Sequence, residues 1–200
     1  MARQTPRRLK KTGKLWIFCE GNTERRYFEN LRVFERPRIK IRTKISDTTA
    51  EQIVDEAIKF SGTPEYDKER DKLVCVFDKD DETQNSDIVL ANAKRKAGSE
   101  TLLVYSNPSF EYWIMCHEGY YNSSSMDQRE AYELVKTKLG IDTKKEFKLY
   151  EKTKKDLDKA KEHAKRIQKV HEDTGVELIS RKPTPLTLVY KIIELIEEFK

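Results

Sequence analysis

Two short apolar runs in this chain stop at acids. Leu15-Trp16-Ile17-Phe18-Cys19 ends at Glu20-Gly21, and Leu73-Val74-Cys75-Val76-Phe77 ends at Asp78-Lys79-Asp80-Asp81. Asp78 and Asp80 stand two apart on a loop leaving a strand, so both side chains can turn into one cleft. Glu20 leaves a neighbouring strand at the same end. Mg2+ and Mn2+ take oxygen ligands and commonly sit on one or two carboxylates together with water and substrate phosphate. In a metal-dependent phosphodiester cleavage, Asp78 and Asp80 would hold the cation while Glu20 completes the shell or serves as general acid or base. Asp-rich loops are also ordinary turn and cap chemistry, and spacing alone leaves both readings open.

Two further segments border these acids. In Gly21-Asn22-Thr23-Glu24 a glycine at a strand-to-helix turn lets the backbone approach a ligand, and a helix N-terminus favours an anion. Glu24 is either a supporting acid or a first-turn charge that suits the helix dipole. Asn107-Pro108-Ser109-Phe110-Glu111-Tyr112-Trp113 reads as a helix start with Asn107 as cap and Pro108 in first position. Glu111 would then face the cleft and join a metal shell, or complement the dipole, while Phe110 and Trp113 read as core. No Walker pattern and no G-x-G-x-x-G is present. His163 and His171 lie about two helical turns apart, too far for one metal, and His117 stands near a helix end. Cys19, Cys75 and Cys116 lack metal-type spacing.

The elements that position these residues alternate. Strands are predicted over 14–19, 38–42, 73–77 and 101–105, with helices from Asn22 or Thr23, from the capping-box spacing Thr48-Thr49-Ala50-Glu51, and over 87–96 up to Gly98. The second of these helices turns Ile53, Val54, Ala57 and Ile58 inward. Strand–helix alternation implies a largely parallel sheet covered by helices, with ligands beyond the carboxyl ends of its strands. Helical patterns follow over 128–139 and 152–172, and Thr184-Pro185 is expected to cap a last helix carrying Val189, Ile192, Ile193 and Ile196 inward. The expected organisation is a basic arm (1–14), an α/β core (15–125) and a helical extension packed on it (126–200).

Bulk properties narrow the class. The 200 residues are 36% hydrophobic and 38% charged, with a net charge of +5. Six bases precede the first acid, so beyond residue 14 the remaining 34 bases face 35 acids and the balance is −1. The excess therefore sits in an arm with Arg3, Arg7, Arg8, Lys10 and Lys11, which either contacts nucleic acid phosphates or is a solvated tail. No apolar stretch approaches the ~20 residues needed to span a bilayer, the start does not resemble a signal peptide, and the three cysteines suit a reducing compartment. The chain is expected to be cytoplasmic and not membrane-bound.

The motifs Phe18-Cys19-Glu20-Gly21-Asn22-Thr23-Glu24 with Tyr27-Phe28, Val76-Phe77-Asp78-Lys79-Asp80-Asp81, Ser106 to Trp113, and Lys182-Pro183-Thr184-Pro185 occur in this order. Together they resemble the RloB-like family of prokaryotic restriction and phage-defence loci. That family is similar to Toprim-fold proteins, which place a Glu after the first strand and Asp-x-Asp after a later one. The resemblance implies a Toprim-like, four-stranded, largely parallel sheet and Mg2+ (or Mn2+) phosphodiester chemistry. It implies Glu20, Asp78 and Asp80 as catalytic acids and metal ligands, Asp81 and Glu111 as further ligands, and Gly21, Glu24 and Asn107 in support. The implied activity is a nuclease acting on DNA or RNA in defence, with an ATPase or a second copy of the chain as candidate partners. The alternatives are a non-catalytic nucleic-acid-binding or regulatory subunit and a nucleotidyl-transferring enzyme. Ser109 stands where the family frequently has Cys, which argues against thiol chemistry there.

Overall fold

The computed structural model describes residues 13–43, 48–79 and 85–200. Arg3, Arg7, Arg8, Lys10, Lys11, Asp80 and Asp81 lie outside the described residues. The two acid-terminated runs form the middle of one sheet. β1 (Leu15–Cys19) is buried throughout and β3 (Lys72–Asp78) from its second residue on, as unbroken apolar runs require of strands covered on both faces. They pair in parallel, with Cys19 opposite Val76. β2 (Ile39–Thr43) is the parallel edge strand beside β1. Its alternation of Ile with Lys and Arg buries Ile39 and leaves Lys40 and Arg42 in solvent. β4 (Thr101–Asn107) runs parallel to β3 on the other side.

A fifth strand corrects the four-strand expectation. β5 (Leu186–Thr187) pairs antiparallel with Ser106 and Asn107, giving the order β2-β1-β3-β4-β5. Two residues carry no readable periodicity, so only the pairing reveals the strand. The segment 126–200 therefore supplies an edge strand as well as helices.

The crossover helices are α1 (Asn22–Glu35), α2 (Ala50–Ser61) and α3 (Asp87–Ala97). α2 carries a full capping box, one residue later than the expected pair: Thr49 Oγ1 accepts from Gln52 N–H at 3.3 Å, and Gln52 Oε1 accepts from Thr49 N–H at 3.1 Å. Its inward face is Ile53, Val54, Ala57 and Phe60, whereas Ile58, expected inward, is 40% exposed. α1 starts from Gly21 in an extended conformation, without the side-chain cap expected of Asn22 or Thr23.

Further helices are α4 (Glu111–Cys116), α5 (Gln128–Leu139), α6 (Leu149–Thr153), α7 (Leu157–Asp173) and α8 (Val189–Ile196). The helix expected over 152–172 is broken by a 3-10 turn at Lys154–Asp156 into α6, which packs on α1, and α7, which packs on α4 and α8. Asn107 does not cap a helix. β4 continues through it, the Asn107–Pro108 peptide is cis, and α4 begins only at Glu111. Thr184–Pro185 is likewise cis and precedes β5, so α8 starts at Val189 with Leu188 as its cap residue. In both places sheet pairing outweighs the local preference for a helix start. Among the described residues no helix is long and apolar enough to cross a membrane.

The core is aromatic around α1 and α4, where Tyr27 meets Phe28, Phe110, Trp113 and Tyr150 edge to face. Behind it His117 is 2% exposed. Its Nδ1 donates to Trp113 O at 3.0 Å, which places the proton on Nδ1, because a carbonyl only accepts. Nε2 has no hydrogen-bond partner among the described residues. Burial pushes the His117 pKa down to about 4, against a smaller upward pull from the Trp113 and Ile114 carbonyls. The folded value lies below the unfolded value of about 6.5. The protein therefore has its full stability above pH 6.5 and loses up to about 3 kcal/mol from this ring as pH falls toward 4. Unfolding free energies of wild type and His117→Gln from urea titrations should converge by roughly that amount between pH 7 and 4. Parallel pH profiles for the two proteins would rule the buried neutral ring out as the cause.

Candidate functional site

β1 and β3 end side by side, and the acids that follow them meet. Glu20 N–H donates to Val76 O at 3.0 Å, extending the pairing by one residue. Glu20 Oε2 then accepts from Asp78 N–H at 3.2 Å, so the carboxylate lies across the end of β3. Asp78 is 9% exposed, and its Oδ2 accepts from Phe110 N–H at 3.0 Å, just before α4. The two carboxylates are thus each oriented by a backbone N–H, Glu20 by that of Asp78 and Asp78 by that of Phe110.

A residue the sequence did not single out holds this edge together. Asn85 is fully buried. Its Nδ2 donates to Asp78 O at 2.9 Å and lies 3.5 Å from Glu20 Oε1, while its Oδ1 accepts from Ala50 N–H at 2.8 Å. One side chain therefore ties the end of β3 to the first turn of α2 and steadies Glu20. Arg181 was also unforeseen. Its Nη1 donates to Lys79 O at 3.0 Å and Asn85 O at 2.9 Å, and its own N–H donates to Asp87 Oδ1 at 2.7 Å. Asn107 works from the opposite side: Nδ2 donates to Arg181 O at 3.4 Å, and Oδ1 accepts from Thr184 Oγ1 at 3.1 Å. The sequence signal for Arg181 was its place next to Lys182-Pro183-Thr184-Pro185. Asn85 had none, because its partners lie 7, 35 and 65 residues away.

Glu24 and Glu111 are both buried acids. The Glu24 carboxylate folds back over Gly21, where an added Cβ would lie 2.4 Å from Glu24 Oε2. A side chain at Gly21 would have to push that carboxylate aside. Glu111 is 8% exposed, with Oε2 accepting from Ser109 Oγ and Oε1 from Thr143 Oγ1, both at 2.7 Å. Ser109 is thus a hydroxyl donor to Glu111. Thr143 is delivered by a loop that Arg26 of α1 grips, donating to Thr143 O at 3.4 Å and also to Lys144 O, with its guanidinium 4.7 Å from the Phe147 ring.

The described residues thus bring Glu20 and Asp78 together, and Glu111 stands one residue past the N–H that holds Asp78. Among the described residues no three His, Cys, Asp or Glu side chains surround one cation position. Burial raises the pKa of all three cysteine thiols, which keeps them protonated and inert. His163 Nδ1 and His171 Nε2 are each bonded to a backbone carbonyl, of Cys116 and Pro185, on separate parts of α7.

Fold and site together define an α/β protein whose mostly parallel five-stranded sheet gathers acids at its carboxyl edge. The chain belongs to the RloB-like protein family, whose model it matches over residues 15–196. No curated protein and no solved structure matches it.

Replacing Asn85 strips partners from Ala50 N–H and Asp78 O in a buried setting. Asn85→Ala should cost about 2–3 kcal/mol in urea unfolding, the scale of leaving buried polar groups unsatisfied. A loss within 0.5 kcal/mol, the ordinary range of surface changes (~0.5 kcal/mol), would show that the edge does not depend on this amide.

Proposed function

We propose that this protein is a divalent-metal-dependent nuclease of Toprim-like architecture, the cutting component of a prokaryotic defence system. The observation that carries the reading is the joining of Glu20 and Asp78 at the ends of adjacent parallel strands, the position where open α/β sheets bind ligands. The donor set is all oxygen, which suits Mg2+ or Mn2+ rather than a thiolate- or imidazole-seeking metal. Such ions need only one or two carboxylates when water and substrate phosphate complete the shell. A carboxylate oxygen has two lone pairs, so the N–H bonds that orient Glu20 and Asp78 are compatible with coordination.

In this reading Glu20 and Asp78 hold the cation with Asp80, which lies outside the described residues. When bound, the cation supplies charge stabilisation at a phosphoryl oxygen and a water of lowered pKa. The protein's own part is positional. Phe110 N–H and Asp78 N–H aim the two carboxylates, and Asn85 keeps the strand end from fraying. Ser109 and Thr143 hold Glu111 beside them as a supporting acid. The family resemblance adds an ATPase as a partner and the basic arm as a nucleic-acid contact.

The test is cleavage of plasmid DNA and of a structured RNA, with Mg2+, Mn2+ or EDTA, by the protein alone and with its ATPase partner. Wild type should cut only with the cation. Asp78→Asn should fall at least about 100-fold, since loss of even an outer partner of a metal ligand costs about 10–100-fold. Mn2+ titration calorimetry should lose its binding heat in the same variant. If wild type stays inert under all these conditions while binding nucleic acid as tightly as Asp78→Asn, the protein is a non-catalytic binding subunit.

A further inference from the structure

Beside the acids, the carboxyl edge of the sheet carries a grouping of opposite sign. A cavity of about 330 Å³ opens there, lined by Lys79, Ser124, Ser125, Asp127, Arg181 and Thr184 among others. Lys79 directly follows Asp78, so the cavity begins one residue from the acid pair. Lys79 and Arg181 stand 102 residues apart in the chain, yet they are mechanically one unit, because Arg181 Nη1 grips the Lys79 and Asn85 carbonyls. Arg181 is further anchored through its N–H to Asp87 and its carbonyl to Asn107. A guanidinium held this firmly loses little freedom on meeting a ligand.

The remaining walls suit an anion. Ser124, Ser125 and Thr184 contribute hydroxyls, and among the described residues the lining carboxylate is Asp127, which caps α5 by accepting from Glu130 N–H at 2.7 Å. A second cavity of about 460 Å³ shares Gln128 with the first and adds Arg129 and Lys144 to its walls. Glu111 and Glu133 line that second hollow as well, so it is mixed in sign, and the case for an anion rests on the first. Arg, Lys and Ser/Thr hydroxyls are the groups that proteins use on phosphate oxygens of nucleic acids.

We infer that the Lys79–Arg181 cavity is a phosphate subsite that seats a backbone phosphodiester of a nucleic-acid strand next to Glu20 and Asp78. The identity of the ligand rests on the nuclease reading, while the phosphate chemistry rests on the cavity. The subsite binds without a metal and without regard to base identity. It positions the strand, and the acids act on it.

The test uses the full chain in EDTA and a fluorescein-labelled single-stranded oligonucleotide, read by anisotropy across a salt series. Arg181 also braces the fold, so the variants are Lys79→Met and Ser125→Asp, the latter placing a negative charge from an exposed loop position. Lys169→Met on the exposed face of α7 is the control. Lys79→Met and Ser125→Asp should weaken binding about tenfold, uniformly across sequences, and Lys79→Met should flatten the salt slope by about 0.7. Lys169→Met should bind as wild type. Unchanged binding in both cavity variants, or equal weakening in the control, overturns the subsite. Displacement of the oligonucleotide by an equimolar nucleoside triphosphate also overturns it, assigning the phosphate chemistry to a free nucleotide. Failure of the two readings is separable. Selective loss of binding in the cavity variants with no cleavage by any protein keeps the subsite and sinks the nuclease. Normal metal-dependent cleavage with unchanged binding in both variants does the reverse.

Discussion

Strands that end side by side leave a row of backbone groups with no next residue of a neighbouring strand to pair with, and those groups are too deep to reach water. Buried N–H and C=O groups must find partners, and at this edge side chains provide them. Asn85 takes Asp78 O and Ala50 N–H, Glu20 takes Asp78 N–H, Asp78 takes Phe110 N–H, and Arg181 takes the Lys79 and Asn85 carbonyls. The same bonds that close the sheet's edge also orient the carboxylates. Structure and chemistry are supported here by one set of hydrogen bonds, and neither can be loosened without the other.

The opposite edge solves the same problem with a single acid and has no such convergence. Asp71, 8% exposed, accepts from Lys14 N–H at 2.8 Å, Trp16 Nε1–H at 2.7 Å and Asp67 N–H at 3.2 Å. The first two of those bonds hold β1 to the turn before β3, and the third closes that turn. At the carboxyl edge, by contrast, four buried or nearly buried acids, Glu20, Glu24, Asp78 and Glu111, come from three separate stretches of chain. Such a concentration of negative charge is costly to bury without donors, and among the described residues those donors include backbone N–H groups, hydroxyls and an amide. Basic side chains are close, with Lys79 and Arg181 on the wall of the adjoining cavity.

The sheet was legible because its strands are continuous apolar runs and its helices carry regular stripes, features that local composition alone produces. Glu20 and Asp78 were legible for the same reason, being the first polar residues after such runs. Other positions were read wrongly where a distant partner overrode a local preference. Asn107 has every quality of a helix cap, yet β5 and the segment 181–184 recruit it into the sheet. Ile58 fits the helical stripe of α2 but is displaced by Phe60, which stacks against Trp16 and Phe18. β5 itself is two residues long and exists only because β4 lies beside it.

What the sequence by itself determined is the parallel α/β order and the placing of acids after β1 and β3, because hydrophobic periodicity and chain breaks are short-range properties. Only the tertiary structure decided which groups hold those acids. Asn85 reaches Glu20 across 65 residues of chain, Thr143 reaches Glu111 across 32, and Arg181 reaches the Lys79 carbonyl beside Asp78 across 102, and no local pattern encodes a hydrogen bond formed between segments that become neighbours only when the core closes.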